Sequence, residues 1–251
     1  DGQQVRFSDY LMRFRSEKHY LQTKENTDFS TKDGQRQADG IQRQSMDDAV
    51  ADAFAAKIAR EKNIVVTRKD AQDYIATQQN PGDAEISDQT LISVLQDYYG
   101  WSLKEYEHMI QKKLLTQKVR YAVDDVARKV SNDVFKAIGD AEKSFEEVAA
   151  SFGENKVQFG GSGGLVPNNN RDGGLASLAS SQDVGQVSKP SETTTGDAYY
   201  IIKTTGKTAD SVSYEYIKIP LTEFDTKLSA LRKDDKVNYF ISIKDANDEE
   251  E

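Results

Sequence analysis

Cysteine is absent from the 251 residues, which excludes disulfides, thiolate metal sites and a cysteine nucleophile. Histidine is almost absent as well: His19 and His108 are the two, so no chemistry in the second half of the chain can draw on an imidazole. No apolar run approaches the length of a membrane helix, and no signal peptide stands at the start. The chain begins abruptly at Asp1-Gly2, so any contact with a membrane is expected to run through an anchor upstream of residue 1, in a targeting segment since trimmed away. Blocks of Lys or Arg are missing too. With 42 acidic against 33 basic side chains the formal charge is −9 and the pI near 4.9, a field that repels phosphates and argues against nucleic acid or anionic lipid as partner.

Charged residues make up 30% of the chain and apolar ones 37%, with a mean hydropathy of −0.72. That is a very polar surface over enough apolar material for a core in each of two domains. The first half reads as helix. Ser8 is placed to cap a helix from Asp9 to about Leu21, and Lys24 to Gln44 reads as loop with some helix near Gln35 to Gln44. Met46, Val50, Phe54 and Ile58 then recur every fourth residue, the stripe of a core-facing helix that ends at Asn63. Thr67-x-x-Asp70 opens another, Asn80-Pro81-Gly82 breaks the chain, Ser87 caps a helix stopped by Gly100, and Ser102-x-x-Glu105 forms a capping box for the next. A last stripe, Val126, Val130, Val134 and Ile138, ends at Gly139.

The order of these elements resembles the N-terminal chaperone domain of the SurA/PrsA family of extracytoplasmic folding factors. The resemblance is carried by Asp1-Gly2-x-x-Val5-x-Phe7-Ser8-Asp9-Tyr10, by the Met46–Ile58 helix with Lys62-Asn63-Ile64-Val65-Val66-Thr67-x-x-Asp70, and by Leu95-x-x-Tyr98-Tyr99-Gly100-Trp101-Ser102-x-x-Glu105-Tyr106. It implies a domain that cradles unfolded client segments, with Trp101 among the peptide-contacting residues.

The second half changes character. Ser144-x-x-Glu147 caps a short helix bearing Phe145, Val148, Ala149 and Phe152. The glycine run from Gly160 to Gly164 has no following Gly-Lys-Ser/Thr and no strong preceding strand, so it reads as a backbone hinge rather than a phosphate loop. Ala198–Thr204 and Tyr214–Ile219 read as strands of an antiparallel hairpin joined by the turn-rich Gly206–Ser211. Asp47, Asp48 and Asp52, and Glu146 with Glu147, read as solvated helix faces, His108 as a surface or packing residue, and Asp245–Glu251 as solvating charge.

Phe145-Glu146-Glu147-Val148-Ala149, the Gly160–Gly164 turn, Val184-Gly185-Gln186-Val187-Ser188-Lys189-Pro190 and Asp197-Ala198-Tyr199-Tyr200-Ile201-Ile202-Lys203 resemble, in that order, the motifs of a parvulin-type peptidyl-prolyl isomerase domain. The family's opening strand is missing ahead of Phe145. Its counterpart is Tyr214–Ile219, because the first and last parvulin strands lie side by side and antiparallel and a hairpin can join them. The helix after Pro220, opened by Thr222-x-x-Asp225, follows as it does behind the family's first strand. This implies a circularly permuted domain; a truncated second repeat beginning at Tyr214 is the alternative. By the resemblance Tyr200 and Tyr216 occupy the two family histidine positions and Asn155 stands near the acid or thiol. Leu165, Tyr199 and Tyr214 join Trp101 as peptide-binding residues. Lowering a barrier of roughly 18–20 kcal/mol to rotation about an X-Pro bond needs placed hydrogen bonds and an apolar slot, and every polar role is altered here, so weak or absent isomerase activity is expected.

The reading is therefore α+β: a helical chaperone domain over residues 1–140, a small parvulin-like antiparallel sheet with helices over 141–245, and an acidic tail over 246–251. The expected function is an extracytoplasmic chaperone or foldase, at the cell surface or in the periplasm, that binds unfolded or secreted client proteins, with an active prolyl isomerase as the alternative and a purely structural surface domain as a third. No cofactor and no metal are expected.

Overall fold

Local capping signals decide most helix ends. In the computed structural model, which describes residues 4–80, 86–140, 143–154, 156–234 and 237, α1 spans Phe7–Lys24 and starts from Arg6, so Ser8 lies inside the helix rather than capping it. The polar text after Lys24 is largely helical: the Thr31 hydroxyl accepts from the Gly34 amide and opens a single helix α2, Lys32–Glu61. That stretch reads as loop because its glycines and polar residues carry little helical signal alone, whereas the cap at one end and the apolar stripe at the other propagate through it. α3 (Arg68–Gln79) opens with the Thr67/Asp70 box, and α4 (Asp88–Val94) with Ser87 accepting from Thr90. A π-helical turn, Leu95–Tyr99, follows and ends at Gly100 in the left-handed region with φ 63°. α5 (Leu103–Val123) begins at the Ser102/Glu105 box, and α6 covers Asp125–Asp140. The Pro81-Gly82 break, Asn155 and the 246–251 tail lie outside the described residues.

The chain divides into two compact units, the first joining residues up to Thr116 with the end of the chain from Leu228, the second running from Gln117 to Lys227. The boundary thus falls before residue 140. The reason is the α6 stripe: Ala127 and Val134 are buried in the core of the second unit, with Val130 and Ile138 packed against it.

In the first unit Met46, Ala49, Val50 and Ile58 of α2 are buried, and Ala71, Ile75 and Ile110 form a smaller cluster with Tyr74, Leu91, Tyr106 and Leu114. An ion network ties α1, α2 and α5 together. Lys112 Nζ lies 2.8 Å from Asp9, His108 Nε2 3.0 Å from the same carboxylate, and Arg13 2.5 Å from Asp52. Asp52 is therefore a network member rather than a solvated group, and His108, its side chain 40% exposed, joins the network from the surface. Burial raises the Asp9 carboxyl, but hydrogen bonds from Lys112 and His108 outweigh it and hold the group below the ordinary aspartate range. The end of the last helix, α9 (Glu223–Lys233), joins this unit through Arg232, 3.3 Å from Asp47.

The second unit is an antiparallel sheet between helices. β1 (Gln158–Gly161), β2 (Val166–Pro167), β3 (Ser191–Glu192), β4 (Ala198–Lys207) and β5 (Ser211–Pro220) are ordered β1-β5-β4-β3, with β2 also on β5. β4 and β5 form the central hairpin, Ile201 facing Ile217 and Ile202 facing Tyr216. Alternation sends Tyr199, Ile201, Ile217 and Ile219 to one face, where Tyr121, α6 and α7 (Phe145–Ser151) cover them. It sends Ala198, Tyr200, Ile202, Val212 and Tyr214 to the other, against Leu175, Ala176 and Ala179 of α8 (Leu175–Ser180).

One buried carboxylate organises the helix starts here. Asp124 accepts from Ala127 N at 2.9 Å in the first turn of α6, and from Thr222 N at 2.7 Å and Glu223 N at 3.0 Å where α9 begins. Asp225, expected to work in a box with Thr222, instead receives a bidentate pair from Arg120 at 2.8 and 2.7 Å.

Candidate functional sites

In the first unit the π-helical turn pushes an aromatic series to the surface. Tyr98 and Tyr99 are each 42% exposed. Ring centroids run from Tyr20 to Tyr98 at 6.4 Å, Tyr98 to Tyr99 at 6.4 Å, Tyr99 to Trp101 at 5.1 Å and Trp101 to Tyr106 at 6.4 Å. π-helical turns recur at functional sites because the extra residue breaks the helical register and leaves side chains splayed. Gly100 suits its end because φ is positive there, a conformation that residues with a Cβ rarely adopt. His19 Nε2 meets the Asp97 carbonyl oxygen at 3.1 Å, and Lys24 binds the Asp97 carboxylate at 2.5 Å while lying 4.4 Å over the Tyr98 ring. Between α1 and this turn opens a cleft of about 140 Å³ lined by Met12, Arg15, Ser16, His19, Tyr99, Gly100 and Trp101. The Trp101 indole N–H is buried and donates to no acceptor among the described residues. A buried donor left unpaired costs about 1–3 kcal/mol.

In the second unit three tyrosines gather on the α8 face of the sheet. Tyr200 and Tyr216 meet edge to face at 5.5 Å and 67°, with Tyr214 6.5 Å from Tyr216. Their hydroxyls are largely committed. Tyr214 donates to Asp172 at 2.7 Å, a carboxylate that also accepts the Ala176 amide at 3.2 Å in the first turn of α8. Tyr200 donates to Asp197 at 3.2 Å, and Asp197 is held by Lys218 at 2.6 Å and by the Thr195 hydroxyl. Burial, then the neighbouring carboxylate, pushes both phenols above the ordinary tyrosine range. Burial raises Asp197, but its bonds from Lys218 and Thr195 win and keep it ionised. With their phenols raised and donating to carboxylates, neither tyrosine is poised to release a proton. The Tyr216 hydroxyl has no protein partner among the described residues, and its ring lies so close over Gly160 that a Cβ there would sit 2.5 Å from it.

A model of the SurA-like N-terminal domain matches residues 1–120. Residues 1–120 are a SurA-like N-terminal domain. No curated protein and no solved structure matches the chain.

The exposed aromatic cleft, with Trp101 in its wall, belongs to this SurA-like domain. Of the residues expected to act together in the other unit, Tyr200, Tyr214 and Tyr216 do share one face. Tyr199 does not: it is buried on the opposite face, edge-on to Tyr121 at 5.1 Å, because adjacent strand residues point to opposite sides. It is a core residue, out of reach of a peptide. Tyr214 and Tyr200 are themselves only 5% and 7% exposed, so they too present little surface. Leu165 is 57% exposed just ahead of β2. Asp197 and Lys218 were legible in principle, standing one strand step from Ala198 and at the same parity as Tyr216; Asp172, in a distant loop, carried no such signal. Among the described residues no group of three or more His, Asp or Glu side chains could hold a metal, and no helix is long and apolar enough to cross a membrane.

Proposed function

We propose that the protein is an extracytoplasmic chaperone that holds extended segments of unfolded clients, and that the aromatic cleft of the SurA-like domain is a primary contact. The observation that carries this is the pairing of exposed Tyr98 and Tyr99 with a buried, unpartnered Trp101 N–H. The rings supply apolar area, and a client that opens the cleft gains the indole as a donor to its backbone carbonyl. Trp101 is the one tryptophan in the chain, so its fluorescence reports on this cleft alone. Titrating the full chain with reduced, carboxymethylated α-lactalbumin is expected to shift that emission saturably, and Trp101→Phe to weaken suppression of client aggregation about tenfold. An unshifted emission on binding, or undiminished suppression by the variant, would remove the cleft from the function.

We further propose that the second unit is a parvulin-like domain permuted so that β5 replaces the family's first strand, retained for binding or scaffolding. Support comes from the antiparallel pairing of Tyr214–Ile219 with Ala198–Thr204 in the middle of the sheet and from the meeting of Tyr200 and Tyr216. A second reading, working prolyl isomerisation, draws on the uncommitted Tyr216 hydroxyl. A protease-coupled assay on Xaa-Pro peptides separates them: no turnover above background is expected, and turnover that disappears in Tyr216→Phe would favour the enzyme.

A further inference from the structure

The two ends of the second unit's sheet are finished differently. At the β4 end the segment 185–192 stitches the backbone shut. Gly185 N donates to Thr204 O at 2.7 Å, Thr204 N to Gln186 O at 3.1 Å and Ser188 N to Ile202 O at 2.8 Å, the Ser188 hydroxyl accepts from Ile202 N at 2.9 Å, and β3 pairs with Tyr199 and Tyr200. At the other end stands β1. Ser162 N donates to Tyr214 O at 2.9 Å, so by strand alternation Gly160 and Gln158, which face Tyr216 and Lys218, turn their backbone groups toward β5. Those of Phe159 and Gly161 turn away from the sheet. Among the described residues these outward groups have no partner, and Gln158, Phe159 and Gly161 are all exposed.

Edge strands are normally blunted by charge, proline, a bulge or a covering segment. Gln158-Phe159-Gly160-Gly161 has no charge and no proline, its register on β5 is regular, and two of its residues have no side chain to shield the backbone. Phe159, 39% exposed, adds an apolar ring beside the open edge. We propose that this edge captures an extended client segment by strand addition, the client's backbone bonding to the N–H and C=O groups of Phe159 and Gly161. Recognition through main chain is tolerant of client sequence, with preference for β-branched residues and against proline at the facing positions. The occupant is a client rather than a second copy of the chain. A four-residue strand offers an edge about 13 Å long, and self-pairing over that length falls well short of the roughly 1,200 Å² that stable interfaces bury. Such an edge suits weak, reversible capture.

The proposal rests on the client-binding reading for the nature of its occupant but uses a different site, so the two can fail separately. The test is amide hydrogen exchange on the full chain with the peptide acetyl-Lys-Val-Thr-Val-Thr-Val-Lys-amide and with the same peptide N-methylated at every central residue. At saturation the unmodified peptide is expected to slow exchange at Phe159 and Gly161 about tenfold, the N-methylated one to leave it unchanged, and Phe159→Lys to weaken binding about tenfold. Trp101→Phe is expected to keep the protection at Phe159 and Gly161 even if it abolishes binding at the cleft. No protection at these two amides at saturating peptide, equal protection by the N-methylated form, or protection that rises with protein concentration without peptide would each overturn the proposal.

Discussion

Tyr200 and Tyr214 on the sheet and Trp101 beside the π-helical turn are aromatic side chains with a polar tip in apolar surroundings, and they differ in what meets that tip. The two phenols donate to Asp197 and Asp172, and those carboxylates are in turn held by Lys218 and by a helix amide. The indole N–H donates to nothing among the described residues. A closed network gives stability and leaves little to offer a ligand, whereas an open donor costs stability until a ligand arrives. By this criterion the sheet face is the quieter of the two, and the helical unit keeps the unsatisfied donor.

Asp124→Ala should separate the units most strongly, because one carboxylate serves three backbone amides of the second unit. A loss of about 3 kcal/mol is expected there, read from exchange of β4 and β5 amides in urea so that this unit is followed by itself; unchanged exchange would show the caps to be dispensable. Gly160→Ala forces a Cβ into the Tyr216 ring and should cost about 2 kcal/mol by overpacking. In the double variant with Tyr216→Ala the losses should add to less than their sum, since the clash disappears with the ring; strict additivity would mean that ring and glycine do not interact. A pH series tests the phenol network. A tyrosine whose folded pKa is raised stays protonated longer in the folded state, so its contribution is full below the ordinary value near 10 and is lost as pH climbs from there toward the folded value. The alkaline decline in stability of the second unit should therefore flatten in Tyr214→Phe; an unchanged slope would exclude Tyr214 from it. The smallest effect is expected for Trp101→Phe in the first unit, under about 1 kcal/mol, because removing an unpaired buried N–H offsets the lost contact area. A larger loss in thermal unfolding would make Trp101 a structural residue first.

Much of this was local enough to be legible. Thr67, Ser87, Ser102 and Ser144 all cap as their sequence patterns imply, because a cap needs nothing beyond the first turn it serves. The β4–β5 hairpin follows from alternation and a short turn. Ser8 and the polar stretch after Lys24 misled for the converse reason: whether a hydroxyl caps, or a weak helix former joins a helix, depends on what flanks and packs against it. The candidate sites were legible in part. Tyr200 and Tyr216 share a face by parity, and Trp101 stands in a recognisable motif, but parity alone also places Tyr199 on the other side of the sheet.

The sequence by itself determined the two-part α+β organisation, most helix starts, the central hairpin and the SurA-like character of the first 120 residues, all of which rest on periodicity and short-range chemistry. The tertiary structure alone decided that Asp124 caps two helices nearly 100 residues apart, that Asp172 and Asp197 occupy the tyrosine hydroxyls, and that, among the described residues, the Trp101 N–H has no partner and one edge of the sheet is stitched while the other is open. The physical reason is the same for each: hydrogen-bond satisfaction is settled between residues far apart in the chain, and no local pattern records which distant atom will arrive.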